Sequence, residues 1–75
     1  MMTIGEKIKV ARLEQFLTQK QMAEELGVSV MSVIRWENGQ NKPALSMQKK
    51  FKEYCQNKGI TFSEGNKNIG TEGNR

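Results

Sequence analysis

The chain has 75 residues, enough for one small domain with little stability to spare for an elaborate active site. Its net charge of +4 suits an anionic partner such as nucleic acid or an acidic membrane surface, or serves solubility alone. The single cysteine, Cys55, excludes an internal disulfide, and no signal-type apolar core or long apolar stretch occurs. We therefore expect a cytoplasmic or nucleoid-associated protein that makes no use of a membrane.

The first half of the chain predicts two short helices. Thr3 and Glu6 have the spacing of a capping box at a helix start. Apolar residues then recur at helical intervals, namely Ile4, Ile8, Ala11 and Leu13. Thr18 and Gln21 repeat the start signal for a second helix, whose apolar face consists of Met22, Ala23 and Leu26. Gly27 is expected to end this helix, because the positive φ of such an end favours glycine.

Two more helices are predicted in the second half. Ser29 can cap a third helix over residues 30–38, which Gly39 ends, and Val33 and Trp36 would face the core from it. A fourth helix is predicted over residues 46–58, with an apolar face of Met47, Phe51, Tyr54 and Cys55.

The segment that follows the fourth helix predicts little regular structure. Residues 60–62 are a candidate short β-strand, and residues 65–75 are dominated by Gly and Asn. Such a composition cannot bury enough apolar surface to offset the entropy of ordering the chain. The predicted organisation is therefore one domain over residues 1–62 and a flexible tail over residues 63–75.

Residues 19–38 meet the requirements of two short helices that cross steeply around a tight turn. Ala23 supplies a small residue at the crossing, and Gly27 tolerates the left-handed corner. The residues expected to face inward are all apolar: Met22, Leu26, Val28, Val33 and Trp36. Because these requirements coincide in one window, the pattern is far more specific than any single residue and predicts a helix-turn-helix.

The chain resembles the lambda-repressor-like helix-turn-helix family, also called the Cro/repressor or xenobiotic-response-element class. The resemblance extends roughly from Ile4 to Phe62 and is carried by Leu17-Thr18-Gln19, Met22-Ala23, Leu26-Gly27-Val28-Ser29, Val33 and Arg35-Trp36-Glu37-Asn38-Gly39. It implies an all-α, compact bundle of four or five helices whose third helix lies in the major groove. It also implies a bacterial or phage transcriptional regulator, often a repressor, that binds double-stranded DNA as a homodimer.

Base reading is expected from the outward face of the third helix, which carries Val30, Met31, Ser32, Ile34 and Arg35. The guanidinium fork of Arg35 matches O6 and N7 of guanine, and the alternative is a contact with phosphate or solvent. Val30 and Met31 depart from the family, in which polar residues are common at these positions. Thymine methyl groups are their expected partners, and contact with a partner protein or incidental exposure is the alternative.

Phosphate contacts are expected from Gln19, Ser29, Asn38 and Lys42, with Ser32 as a further candidate. Gln19 begins the second helix, where free N–H groups and the helix dipole favour an anion. In the family the matching glutamine anchors the DNA backbone. Contacts of this kind fix register without selecting sequence, and plain surface residues are the alternative.

The resemblance also implies structural support from an ion pair between Arg12 and Glu37, which would fix the reading helix. Two independent surface charges are the alternative. The spacing of Trp36 with Val33 favours core packing over a stacking platform for single strands. Phe16 stands where the family often has the glycine that ends the first helix. Either that helix ends differently here, or Phe16 is a surface anchor.

The sequence also bears on two other classes of function. An enzyme is not expected, because the chain has no histidine, no metal-ligand cluster and no glycine-rich phosphate loop, and neither a cofactor nor a metal is implied. An antitoxin-like or other protein-interaction module of the same fold is the main alternative, supported by the apolar surface of Val30, Met31 and Ile34. The chain lacks a clear fifth helix, which commonly supports dimer formation in this family. Residues 59–62 resemble the short strand that follows the last helix in some small members, so pairing of this segment between two copies across a two-fold axis is a hypothesis for the dimer.

Overall fold

Four helices make up the part of the chain that the computed structural model describes, which is residues 2–62. They are α1 (Ile4–Glu14), α2 (Gln19–Leu26), α3 (Val30–Glu37) and α4 (Leu45–Lys58). No strand occurs within residues 2–62, and the all-α class is confirmed with the lower of the two expected helix counts. The predicted flexible tail at residues 63–75 lies outside the described residues.

Side chains satisfy the free backbone donors where α1 and α2 begin. The Glu6 backbone N–H donates to Thr3 Oγ1 at 3.1 Å, and the Thr3 N–H donates to Glu6 Oε1 at 2.8 Å. Thr18 and Gln21 form the same reciprocal pair at 3.0 and 2.8 Å. Both predicted capping boxes are confirmed, and each starts its helix at the residue after the cap.

Glycine lies at the ends of α2 and α3. Gly27 ends α2 with φ 72°, and Gly39 follows α3 with φ 76°. The Gln40 N–H then donates to the Arg35 carbonyl at 2.9 Å, which satisfies a carbonyl that the helix end leaves free. Helix α3 is one residue shorter than predicted, because Asn38 is its C-cap, and α4 begins at Leu45, one residue earlier than predicted.

The core lies where the four helices meet. Its buried members are Ile8, Ala11, Met22, Ala23, Leu26, Val33, Trp36, Phe51 and Cys55. This set contains the inward-facing residues expected from the helix-turn-helix pattern, with Val28 partly buried beside them. The expectation for Leu13 is wrong: its side chain is exposed, because two residues beyond Ala11 the helix has turned by about 200°.

The segment after α4 packs back onto the core without forming a strand. Residues 60–62 form no strand in the single chain, contrary to the candidate strand predicted there. After Gly59, the Ile60 N–H donates to the Cys55 carbonyl at 2.9 Å, and this turns the chain toward the bundle. The Phe62 ring then lies 6.3 Å from the ring of Phe51. Pairing of this segment between two copies stays a prediction.

Gly5 permits the close approach of α1 to the end of α3. A Cβ atom at this position would lie only 2.0 Å from the carbonyl oxygen of Trp36. A glycine inside a helix costs about 1 kcal/mol relative to alanine, so its presence in α1 indicates a packing requirement. The backbone of α3 is thereby held directly against α1.

An ion pair joins the same two helices beside this contact. Arg12 donates to both carboxylate oxygens of Glu37, from Nε at 2.8 Å and from Nη2 at 3.0 Å. Its Nη1 donates to the Leu17 carbonyl at 3.1 Å, which ties in the turn before α2. The expected pair is therefore present, and the Glu37 side chain is only 3% exposed.

Helix α4 closes the bundle by packing against both α1 and α2. Gln15 donates from Nε2 to the Tyr54 hydroxyl at 2.7 Å and to the Ala11 carbonyl at 3.1 Å, which links the end of α1 to α4.

Burial raises the pKa of the Cys55 thiol, and the positive charge of Lys7 acts weakly in the opposite direction. The thiolate is therefore disfavoured, whereas a nucleophilic cysteine needs the opposite.

Replacing Gly5 with alanine tests the close approach of α1 to α3. Helix propensity and packing predict opposite signs for the change in the free energy of unfolding. Propensity alone favours Gly5→Ala by about 1 kcal/mol. The clash with the Trp36 carbonyl should outweigh this and lower the free energy of unfolding by about 1–3 kcal/mol. Chemical denaturation provides the measurement. Gly39→Ala is the control, because open space surrounds Gly39 and only its positive φ adds a cost. A stabilised Gly5→Ala variant would contradict the packing argument.

Charge reversal tests the ion pair. Arg12→Glu should destabilise the domain by about 3–5 kcal/mol, because it leaves the buried Glu37 carboxylate without its cation. The matched control is Lys58→Glu, which breaks an exposed pair with Glu25 at 3.7 Å and should cost less than about 1 kcal/mol. Thermal melting of both variants gives the comparison. If the Arg12→Glu and Lys58→Glu variants melt at the same temperature, the pair between Arg12 and Glu37 does not stabilise the domain as proposed.

Candidate nucleic-acid interface

A three-residue corner joins α2 to α3. Gly27 provides the left-handed bend, and the Val28 N–H donates back to the Ala23 carbonyl at 2.9 Å. Ser29 then caps α3 by accepting from the Ser32 N–H at 3.2 Å. Because Ala23 is buried at this junction, the two helices pack closely on each other. The result is a helix-turn-helix with α3 as its second helix.

The side of α3 that faces solvent is the one expected from the sequence. Val33 and Trp36 are buried, so the opposite side of the helix carries Met31 and Arg35, one turn apart. Met31 is 46% exposed, and Arg35 is exposed as well. Val30, at 37% exposure, and the half-buried Ile34 lie next to this row.

This surface combines apolar contact area with one cation. Among residues 2–62, Arg35 has no ion-pair partner, so its five donors are available to an external acceptor. Its fork geometry suits two neighbouring acceptors in one plane, and the adjacent apolar side chains suit methyl groups. Chemically, the face can therefore recognise planar acceptor pairs beside small apolar groups.

The two serines at the start of α3 bind each other. Their hydroxyl groups lie 3.1 Å apart, and the oxygen of Ser29 also accepts the capping bond from the Ser32 backbone. Ser32 is half-buried and lies at the edge of the outward face. Both hydroxyls thus take part in the cap at the start of α3, while each keeps spare hydrogen-bonding capacity toward solvent.

Gln19 is bound to the end of α3, an arrangement that the sequence did not predict. Its Nε2 donates to Glu37 Oε1 at 3.2 Å, so the buried carboxylate accepts from both Arg12 and Gln19. The second N–H of the Gln19 amide is not used by this bond. The backbone N–H groups of Gln19 and Lys20 also have no acceptor within the described part of the chain. The start of α2 therefore presents several donors suited to an anion.

Asn38 and Lys42 lie at the opposite end of α3 from Ser29. Asn38 is the exposed C-cap residue, and Lys42 is exposed in the loop that leads to α4. Lys42 lines a surface cavity of about 390 Å³ together with Met2, Thr3, Ile4 and Gln48. The end of a helix carries a partial negative charge, so a phosphate here depends on the lysine and not on the backbone.

Within residues 2–62, no three side chains of His, Cys, Asp or Glu are grouped as metal ligands would be. None of the four helices described above has the length and apolar character needed to cross a membrane.

Comparison with known proteins agrees with this geometry. A family model described as Helix-turn-helix matches residues 8–56, which include all of α2, the corner and α3. No curated protein and no solved structure matches the chain. The family match covers well over half of the sequence, including every element of the candidate interface. The chain therefore belongs to the lambda-repressor/XRE-like helix-turn-helix family of DNA-binding regulatory proteins.

Proposed function

We propose that the protein is a transcriptional repressor that binds specific sequences in double-stranded DNA with α3 in the major groove. The observation that carries this proposal is the row of Met31 and Arg35 on the solvent side of a helix whose other side is buried. An α-helix with its side chains is about 10–12 Å wide, and the major groove of B-DNA is about 12 Å wide. Base edges in the groove then face the outward side chains of α3.

The spacing on α3 limits which bases are read together. Met31 and Arg35 are separated by one helical turn, a rise of about 5–6 Å, whereas base pairs are stacked about 3.4 Å apart. Arg35 therefore reads a guanine within about two base pairs of the position that Met31 contacts. Val30 and Ile34 extend the apolar contact, for which thymine methyl groups are the matching partners, and Ser32 contacts the edge of the same site.

Phosphate contacts position this reading helix. Gln19 and the free N–H groups at the start of α2 bind one phosphate, while Ser29 lies near the start of α3. Asn38 and Lys42 provide polar and charged contacts at its end. The hydrogen bond from Gln19 to Glu37 supports this assignment, because it fixes the phosphate-binding end of α2 relative to α3.

We further propose that two copies occupy adjacent half-sites. One small module buries only about 600–1,000 Å² on DNA, and a second module adds both affinity and the length of sequence that is read. A repressor acts by occupying its site, which requires nothing beyond the DNA-binding surface itself.

A protein-interaction role is the second candidate, favoured by the exposure of Met31 and Val30. The two candidates differ in their response to salt. Binding to phosphates releases counterions, so DNA affinity should fall steeply as salt rises, with a slope that reflects the number of phosphates contacted. An apolar interface with a protein partner would show little of this dependence.

Selection of bound sequences from random duplex DNA tests the proposed function directly. We expect enrichment of one defined half-site containing a guanine. Arg35→Ala should relax the preference at that guanine and reduce affinity for the selected site by about 1–3 kcal/mol. Lys20→Ala, which changes an exposed residue outside α3, should leave the selected sequence unchanged. If no sequence is enriched, specific DNA binding is wrong; if Arg35→Ala retains the guanine, only the Arg35 assignment is wrong.

Replacing thymine with deoxyuridine tests the apolar contacts, because it removes only the C5-methyl group. Each thymine that contacts Met31 should contribute, so the replacement should weaken binding about three- to fivefold. The same replacement should have almost no effect on the Met31→Ala variant, since the contact is already lost. Replacement outside the selected half-site is the control. Equal losses in both proteins would show that Met31 does not contact the methyl group.

A further inference from the structure

Phe16 combines two unfavourable features that no contact within residues 2–62 offsets. Its φ is 58°, the left-handed region that favours glycine, and its side chain is 94% exposed. The left-handed conformation costs a residue with a side chain about 1–2 kcal/mol, and burial returns nothing at this position. Glycine would fit the turn at lower cost. A bulky aromatic residue at a strained, exposed position indicates a role outside the folded monomer.

Two more apolar residues continue the surface along α1. Val10 and Leu13 are three residues apart, and Phe16 follows after another three. The Phe16 N–H donates to the Leu13 carbonyl at 3.0 Å, which holds Phe16 directly beyond the helix end. Leu13 is exposed and Val10 is half-buried, whereas Ile8 and Ala11 occupy the core side of the helix. We name Val10, Leu13 and Phe16 the α1 edge.

Opposite charges flank the α1 edge on its two sides. Lys9 and Glu14 lie about 70° from the middle of the row formed by Val10 and Leu13, in opposite directions around the helix. Both side chains are exposed, and neither forms an ion pair with another residue of the described chain. Each copy of the protein thus presents an apolar row with a cation on one flank and an anion on the other.

We propose that the α1 edge is a contact between two copies of this chain, with their α1 helices parallel across a two-fold axis. A parallel axis brings opposite flanks together, so Lys9 of each copy faces Glu14 of the other, five residues further along. Within parallel assemblies of helices, valine at the first central position and leucine at the second favour two helices over three or four. An antiparallel pair would instead bring like flanks together, lysine beside lysine and glutamate beside glutamate.

The contact is small, which determines its strength. A phenylalanine side chain buries about 150–250 Å², so the two copies of Phe16 and their neighbours stay below the roughly 1,200 Å² of a stable interface. The association is therefore weak in free solution. It becomes significant when the two copies are also held close together by another contact, such as the proposed binding to adjacent half-sites. The effective concentration of one copy near the other then rises into the millimolar range.

Sedimentation equilibrium without DNA tests this proposal independently of the proposed function. At high protein concentration and low salt, the wild-type chain should show reversible dimer formation. Phe16→Gly should weaken the association at least about tenfold and also raise the melting temperature, since it removes the left-handed strain. Leu45→Ala is the matched control, because Leu45 is 81% exposed but lies at the start of α4. It should leave the association unchanged.

Exchange of the flanking charges identifies the second copy as the occupant. Lys9→Glu and Glu14→Lys should each weaken the dimer, because each places like charges opposite one another. The double variant should restore the wild-type association, which a contact with any other protein would not predict. A monomeric wild-type chain, a Phe16→Gly variant that associates normally or a double variant without restoration would each overturn the proposal.

Discussion

The Glu37 carboxylate must keep its partners, and the arrangement of the first three helices depends on this constraint. A buried carboxylate without hydrogen bonds or a cation is costly, so Glu37 must accept from both Arg12 in α1 and Gln19 in α2. Both donors reach the carboxylate in this one arrangement of the three helices. The neighbouring residue, Trp36, has its carbonyl against Gly5 at the same point. One turn at the end of α3 therefore meets both other helices, and the direction of the candidate reading helix follows from it.

Much of the fold could be predicted from the sequence, because its signals are local. The capping boxes of Thr3 and Thr18 and the end of α2 at Gly27 depend on residues that are neighbours along the chain. Two of the features that were missed depend on contacts between distant segments. Gly5 meets Trp36 across 31 positions of sequence. The candidate strand at residues 60–62 is absent, because this segment packs on the core of the single chain.

The same distinction applies to the candidate site. The outward position of Met31 and Arg35 follows from helical periodicity once Val33 and Trp36 are assigned to the core, and the structure has this arrangement. The bond between Gln19 and Glu37 could not be predicted, because it depends on the angle between α2 and α3. For Phe16 the sequence left two alternatives open. The structure favours the second, since position 16 has the left-handed conformation that a glycine would adopt at this helix end, and the Phe16 side chain lies at the surface.

The two sides of α3 differ in what they contribute to the fold, and this difference has a consequence for how such proteins diversify. Val33, Trp36 and Glu37 hold the helix in the bundle, whereas Met31 and Arg35 contribute little to the core. Substitutions on the outer side can therefore accumulate after gene duplication without unfolding the product. Two descendants of one ancestral chain can come to recognise different targets while they retain the same scaffold, and the apolar surface of Val30, Met31 and Ile34 is one outcome open to such a lineage.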